Sequence, residues 1–420
     1  MGNGSPAEPE HAGIDARRAH ATLDPLVIER YPEFYRSVYR LYLAIRDTDR
    51  AYGDFINRLL NPPGAPRTFD ANLLTAAYYL NEAQRYIDSL LELFPRRQRI
   101  WLRPGRKVAE MRDLRELLGV LFNSGDRREV FEAQRLIYLA RLFLSVAATW
   151  QVQRGELHRD FFADFLEREF FCHTVSTRDV DIAFGIGSDG MQITYHDGPA
   201  RRGEEAWRFH LRELNFIQDG WPVRLHVYFY SCRSKREVLP YRYVRGREVY
   251  ELRTRERWSS LARPRDAAIV SKMLRKGATS PREIPDIVGA MFIARDLCEV
   301  EILKEALFDI LGGPMKIRNV VDTLTRGADR QLLNRFSGAG YEVFKGELDL
   351  LYPAEWPGGE PYAFTVELQI YTLETYLRTI HAKHYASHHR LKRRQFLEGI
   401  APLLFPDEIY GAGRRASHRG

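Results

Sequence analysis

Three groups of residues have types and spacings that invite a chemical reading. Gly185-x-Gly187-x-x-Gly190 matches by letter the glycine fingerprint of dinucleotide-binding loops. Such a loop must open a helix whose first N–H groups face the phosphate, yet the residues after it, MQITYHDG, are β-formers. The context predicts a hairpin turn instead. Asp179-Val180-Asp181 sets two carboxylates on one side of a strand, the way metal-holding pairs stand. The preceding Ser176-Thr177-Arg178 is not the Gly-Ser helix start that accompanies such pairs, so a turn or strand-end role leads. His381, His384 and His388 fall at i, i+3 and i+7 of an expected helix and could line one face. No acidic or thiol ligand nearby completes a metal set. Lys383, Arg390, Lys392, Arg393 and Arg394 make the same helix better suited to phosphate, with a solvated basic face as the plain alternative.

The elements that must position these residues follow from hydrophobic periodicity. Residues 1–23 are small, polar and aperiodic, which predicts a disordered leader. From Phe34 the period becomes helical, and helices are expected at about 70–94, 109–123, 128–152 and 158–172, with Asp126 capping the third. Residues 24–175 therefore form a helical domain. Around Asp179 the pattern changes to β-formers with Gly and Asp turns, in DVDIAFGIGSDGMQITY, PVRLHVYFYSC and REVYELRTRERW, so 176–248 is a β-rich segment. Beyond it helices and strands alternate: a helix from Ala267, strand GAMFIARD, helix VEILKEALFDIL, strands GELDLLYP and AFTVELQIYT, then a long basic helix through His389. The fold class is α+β, with a C-terminal mixed-sheet domain over 249–410 and a basic tail at 411–420.

Composition narrows the function classes. A chain of 420 residues that is 45% hydrophobic can bury more than one core. Its net charge of +7, with a pI near 9.2, favours polyanionic partners such as nucleotides or RNA. Cys172, Cys232 and Cys298 are too widely spaced for a zinc ribbon or a disulfide framework, which points to a reducing, cytoplasmic setting. No apolar run approaches the roughly 20 residues that cross a bilayer, so no membrane partner is expected.

The strongest constellation lies in the C-terminal part. SKMLRKG, REIPDIVGAMFIARD, GAGYEVFKGELDLLYP, FTVELQIYT and HAKHY resemble, in order and spacing, the synthetase domain of the RelA/SpoT family, over roughly residues 250–395. The resemblance implies a nucleotidyltransferase-like sheet that moves pyrophosphate from ATP to a 3′-hydroxyl with magnesium as cofactor. The acceptor would be a guanine nucleotide, an adenine nucleotide, or the 3′ end of tRNA. Carried over by position, Asp286 holds magnesium, Glu367 serves the acceptor hydroxyl or a second ion, and Tyr341 stacks on the acceptor base. Gln369 accompanies Glu367, Lys345 follows Tyr341, and His384 matches the family's late histidine. Lys272, Arg275 and Lys276 match its basic helix, while Arg253-x-Arg255 or Arg263-x-Arg265 would supply its Arg-x-Lys opening.

The chemistry agrees, because phosphoryl-type transfer needs charge neutralisation and positioning more than covalent help. Three departures stand out: Tyr371 replaces an Arg, Ala268 a Ser, and Ser337-Gly338-Ala339-Gly340 a Lys-Pro-Asn-Gly loop. They leave an alternative reading, a degenerate nucleotide- or RNA-binding module. Two adjacent carboxylates argue for chemistry, since without a cation their repulsion costs stability.

Overall fold

The computed structural model describes residues 32–61, 68–187, 192–236, 241–245, 248–252, 266–325, 341–355, 359–381, 384 and 388–411. The chain divides into two compact units, Met1–Leu144 with Ala401–Gly420, and Ser145–Ile400.

The first unit is helical: α1 (Pro32–Ile45), α2 (Asp49–Leu60), α3 (Phe69–Leu91), α4 (Arg96–Leu102), α5 (Arg106–Glu110), α6 (Leu114–Asn123) and most of α7 (Arg127–Ala148). Thr48 and Thr68 cap α2 and α3 by accepting the N–H of Ala51 and Ala71. Asp126 accepts the N–H groups of Arg128 and Glu129 at the start of α7, as its position in the sequence predicts. Leu80, Ala83, Tyr86, Ile87 and Leu90 of α3 are buried at helical spacing, as are Ala133, Leu136, Leu139 and Phe143 of α7. The C-terminal segment returns to this unit. Buried Arg135 donates to the Leu404 carbonyl at 2.7 Å and lies over the Phe405 ring, and the Tyr410 hydroxyl donates to Glu132.

The second unit holds α8 (Trp150–Gln153), α9 (Gly155–Glu169) and an eight-stranded sheet of order β2-β1-β3-β4-β7-β10-β9-β8. The strands are β1 (Thr174–Ile186), β2 (Ile193–Asp197), β3 (Glu205–Gln218), β4 (Trp221–Ser234), β7 (Val288–Ala294), β8 (Ile317–Asp322), β9 (Phe344–Tyr352) and β10 (Tyr362–Thr372). β5 (Tyr241–Arg245) and β6 (Glu248–Leu252) pair as a separate two-stranded sheet. All neighbours in the large sheet are antiparallel except β7 and β10. The helices that follow are α10 (Ala267–Lys276), α11 (Leu297–Leu311), α12 (Leu373–Ile380) and α13 (His388–Gly399).

Strand alternation sends alternate residues to two cores. On one face Val288, Ala290 and Phe292 of β7 and Val366, Leu368 and Ile370 of β10 meet Phe162 and Leu166 of α9 and Val300, Leu303 and Leu307 of α11. On the other, Ile182, Phe184, Phe209, Ile293 and Tyr371 meet Leu377 of α12. Each such aliphatic or aromatic side chain, fully buried, contributes about 1.5–3 kcal/mol.

Four expectations change. The boundary at 248/249 divides the strands of one sheet, because β4 on one side of it pairs with β7 on the other, from Val227↔Ala294 to Ser234↔Val288. The helical domain ends before 175, because the apolar side of α9 belongs to the sheet's core. β8 appears where no strand was expected. The long basic helix is interrupted after Ile380. His381 leaves the helical region at φ −64, ψ 117, and both His381 and His384 are buried, so the three histidines do not line one helical face.

Candidate active site

Asp286 sits between the one-turn helix Pro281–Glu283 and β7 and is 4% exposed. Its Oδ2 is shared by two ammonium groups, Lys235 and Lys272, and Lys235 also donates to its backbone carbonyl. Its Oδ1 is buried with no hydrogen-bond partner among the described residues. Burial pushes the Asp286 carboxyl up, but Lys235 and Lys272 outweigh it and hold the group below the ordinary carboxylate value. For Lys235 burial dominates: it pulls the ammonium down to about 8, against the attraction of Asp286 and, more weakly, Glu367.

Each cation is placed by its element. The Lys235 N–H donates to the Ile287 carbonyl at 2.8 Å, carrying the β4–β7 ladder one step past Ser234. Lys272 stands on α10, where Ala267, Ile269, Val270, Met273 and Leu274 are buried. Arg275 and Lys276 follow at i+3 and i+4 and so share the side of Lys272. Arg275 is half-buried; desolvation lowers its pKa, the Asp286 carboxylate opposes that, and no side-chain hydrogen bond to it occurs among the described residues. Gly277, at φ 68, closes the helix in the left-handed conformation that suits glycine.

Glu367 lies at the centre of β10, beside Gly289 of β7 and Glu347 of β9. Val366 and Leu368 belong to the core, so Glu367, Gln369 and Tyr371 face the other way. Gly289 carries no side chain to cover Glu367 from the β7 side. Gln369 Nε2 donates to Glu367 Oε2 at 2.7 Å, Tyr371 donates to Gln369 Oε1 at 3.2 Å, and the Tyr341 and Tyr371 hydroxyls are 2.9 Å apart. Burial raises both tyrosines above their ordinary value, so each keeps its proton at neutral pH. Lys345 stands opposite Gln369 on β9. Glu347 is matched by Arg318 and Asn319.

The structure thus sets Asp286, Lys272 and Arg275 where the end of β4 meets the start of β7, with Glu367, Gln369, Lys345 and Tyr341 along the adjoining stretch of β10, and Lys235 feels both carboxylates. Lys276 is exposed on the same helix. His384 is buried, its N–H on the His381 carbonyl, rather than displayed on a cationic surface. Arg253, Arg255, Arg263 and Arg265 lie outside the described residues. An Arg-x-Lys sequence does stand at this place, Arg233-Ser234-Lys235, with Arg233 opposite Gly289 and Lys235 on Asp286. Sequence reading missed it because the expected strand stopped at Cys232. The signal was that positions 233 and 235 share a face of a strand continued by two residues.

Among the described residues no group of three or more His, Cys, Asp or Glu side chains could hold a metal ion. The Oδ1 of Asp286 and the Glu367 carboxylate are hard oxygens of the kind that could hold magnesium. With Lys235, Lys272 and Arg275 around them, the local balance favours an ion that arrives with a polyphosphate. The other pairs noted in the sequence are occupied: Asp181 is held by Arg208 through both oxygens and Asp179 by His210. Gly185 lies within β1, paired with Thr194 in an antiparallel hairpin, and Gly187 N–H donates to the Gln192 carbonyl.

No family model matches the chain, and no curated protein matches it. Solved structures do. The small alarmone synthetase 1 from Bacillus subtilis bound to its product pppGpp is 20% identical over 37% of this chain and 74% of its own, with a TM-score of 0.22. The same enzyme bound to AMPCPP is 19% identical over 36% of this chain and 73% of its own, with a TM-score of 0.18. A GTP pyrophosphokinase family protein from Streptococcus pneumoniae is 19% identical over 36% of this chain and 64% of its own, with a TM-score of 0.21. Each likeness covers about a third of this chain. No described helix is long and apolar enough to cross a membrane.

Proposed function

We propose that the sheet unit is a pyrophosphokinase that carries the β,γ-pyrophosphate of ATP to a 3′-hydroxyl. The observation that carries this reading is Asp286: a buried carboxylate with one oxygen pinned by two lysines and the other unclaimed, beside a second carboxylate on the adjoining strand. Most buried polar atoms find a partner, so an idle carboxylate oxygen at an ion pair asks for a ligand. Lys235, Lys272 and Arg275 take the donor phosphates, and their charge stabilises what develops as the bond between the β-phosphorus and its α-bridging oxygen breaks. Glu367 accepts the proton of the attacking hydroxyl, that oxygen joins the β-phosphorus, and AMP leaves. Asp286 with Glu367 would hold magnesium, which would supply positive charge to offset that of the phosphates. The acceptor is a guanine nucleotide, an adenine nucleotide, or the 3′ end of tRNA.

The test is incubation with labelled ATP and magnesium, in separate reactions with GDP, ADP and total tRNA. Label on one acceptor, lost in Asp286→Ala and Glu367→Ala, is the expected result. Binding of ATP without transfer to any of them would instead make the unit a nucleotide-binding module.

A further inference from the structure

Tyr371 is 5% exposed, and nothing in the transfer chemistry above touches it. Its hydroxyl stands in a line of four side chains: Tyr341, Tyr371, Gln369 and Glu367. The direction of every bond in that line follows from one charge. An ionised Glu367 can only accept, so Gln369 must turn its amide nitrogen toward it. The Gln369 carbonyl then faces Tyr371, which must donate. With its one hydrogen engaged on Gln369, the Tyr371 hydroxyl can only accept from Tyr341. Among the described residues, Tyr371 is the sole donor on the Gln369 carbonyl. On either side of Gln369 stand Met291 of β7, which has no donor, and Lys345 of β9, which makes no hydrogen bond to it. Without the Tyr371 hydroxyl the Gln369 carbonyl keeps no donor among the described residues, and the single bond to Glu367 is left to hold the amide, which can then pivot about it. Cross-strand geometry keeps the three β10 side chains on one face at two-residue steps, so they form a chain along a rigid strand rather than a loop contact.

We propose that Tyr371 is a positioning residue for Glu367, acting through the Gln369 amide, whose far end it anchors. This rests on the transfer reading above for its effect on rate, but the anchoring itself does not. Two measurements on the full chain separate them. In the first, glutamine side chains are labelled with ¹⁵N and the Gln369 amide resonance is assigned by its disappearance in Gln369→Met. Tyr371→Phe is expected to shift that resonance and narrow the difference between its two protons, as Glu367→Gln does, whereas Tyr341→Phe, one bond further out, leaves it in place. A resonance unmoved by Tyr371→Phe, in a variant whose melting temperature matches the wild type, overturns the proposal whether or not the chain transfers anything. In the second, Tyr371→Phe is expected to lower kcat about tenfold with KM for ATP and acceptor unchanged, and to cause no further loss in a Gln369→Met background. Additive losses in that cycle would show that Tyr371 acts by another route and overturn the proposal. Absence of transfer by the wild type would sink the transfer reading alone, leaving the resonance to decide the anchoring.

Discussion

Replacing Lys235 with methionine separates the two roles a buried ion pair can have. The folded chain holds this ammonium at about 8, against 10.5 for a free lysine, chiefly because burial strips its water. At roughly 1.4 kcal/mol for each unit, keeping the charge there at neutral pH costs about 3 kcal/mol relative to leaving it in solvent. Methionine keeps most of the stem, drops the charge, and leaves Asp286 paired with Lys272. The lost bonds to Asp286 and the relieved desolvation oppose each other, so the net change in stability should stay within about 1 kcal/mol, a few degrees in melting temperature at most. Transfer should fall about 10²- to 10³-fold, the usual loss when one group that meets developing charge is removed.

Stability should also lose a pH dependence. Between pH 8 and 10.5 the unfolded chain still binds the proton that folded Lys235 has released, so wild-type stability rises with pH across that window. Lys235→Met lacks that rise. Urea melts at pH 7, 8.5 and 10 and a labelled-ATP assay read both effects. A loss of more than about 3 kcal/mol at pH 7, the range for breaking a purely structural buried pair, would refute the reasoning. Transfer within threefold of the wild type would refute it from the other side.

His158 of α9 is 3% exposed and stacks on Phe364, its Nε2 3.0 Å from the Tyr362 hydroxyl. Burial lowers it to about 4, so it folds neutral. Stability it supports is complete above pH 6.5 and lost as pH falls toward 4, by roughly 3 kcal/mol, and melts of His158→Phe over that range should show a flatter acid limb. Gly155, at the start of α9, has no room for a Cβ, which would meet Ile287 Cγ2 at 2.9 Å and Ser234 Oγ at 3.0 Å. Gly155→Ala should therefore cost about 1–3 kcal/mol by denaturant melt and lower transfer as well, since those two residues adjoin Asp286 and Lys235. Arg236 and Asp266 form a two-pronged ion pair with side chains 15% and 10% exposed. Asp266→Asn strands the guanidinium and should cost about 2–3 kcal/mol, part of it recovered in the Arg236→Met, Asp266→Leu double variant.

What the sequence made legible was what local rules govern. Alternation in AFTVELQIYT separated Val366, Leu368 and Ile370 from Glu367 and Gln369, and that division is what the sheet uses. The Asp126 cap was equally readable, because one side chain and two adjacent N–H groups decide it. Partners set by tertiary pairing were not. Nothing local says that β4 lies beside β7, so the strands of 176–248 read as a segment of their own, and Lys235 had no visible tie to Asp286 some fifty positions on. The interrupted helix near His381 failed for a related reason: periodicity continues through residues that burial removes from the helical surface.

Between Lys235 and Lys272 the chain carries a long excursion, part of which is the β5–β6 pair. It enters at Arg236 and re-enters at Asp266, the residue before α10, and these two are joined by the partly buried ion pair. Fixing both ends at one point lets length be added between them at little cost, because closure entropy grows only with the logarithm of loop length. The same geometry keeps the two lysines on one carboxylate although the excursion separates them in sequence. A linear motif search expects the strand lysine just ahead of the helix lysine and is drawn to the arginines nearest α10, Arg263 and Arg265. The pairing of β4 with β7 instead brings Lys235, at the end of its strand, directly onto Asp286.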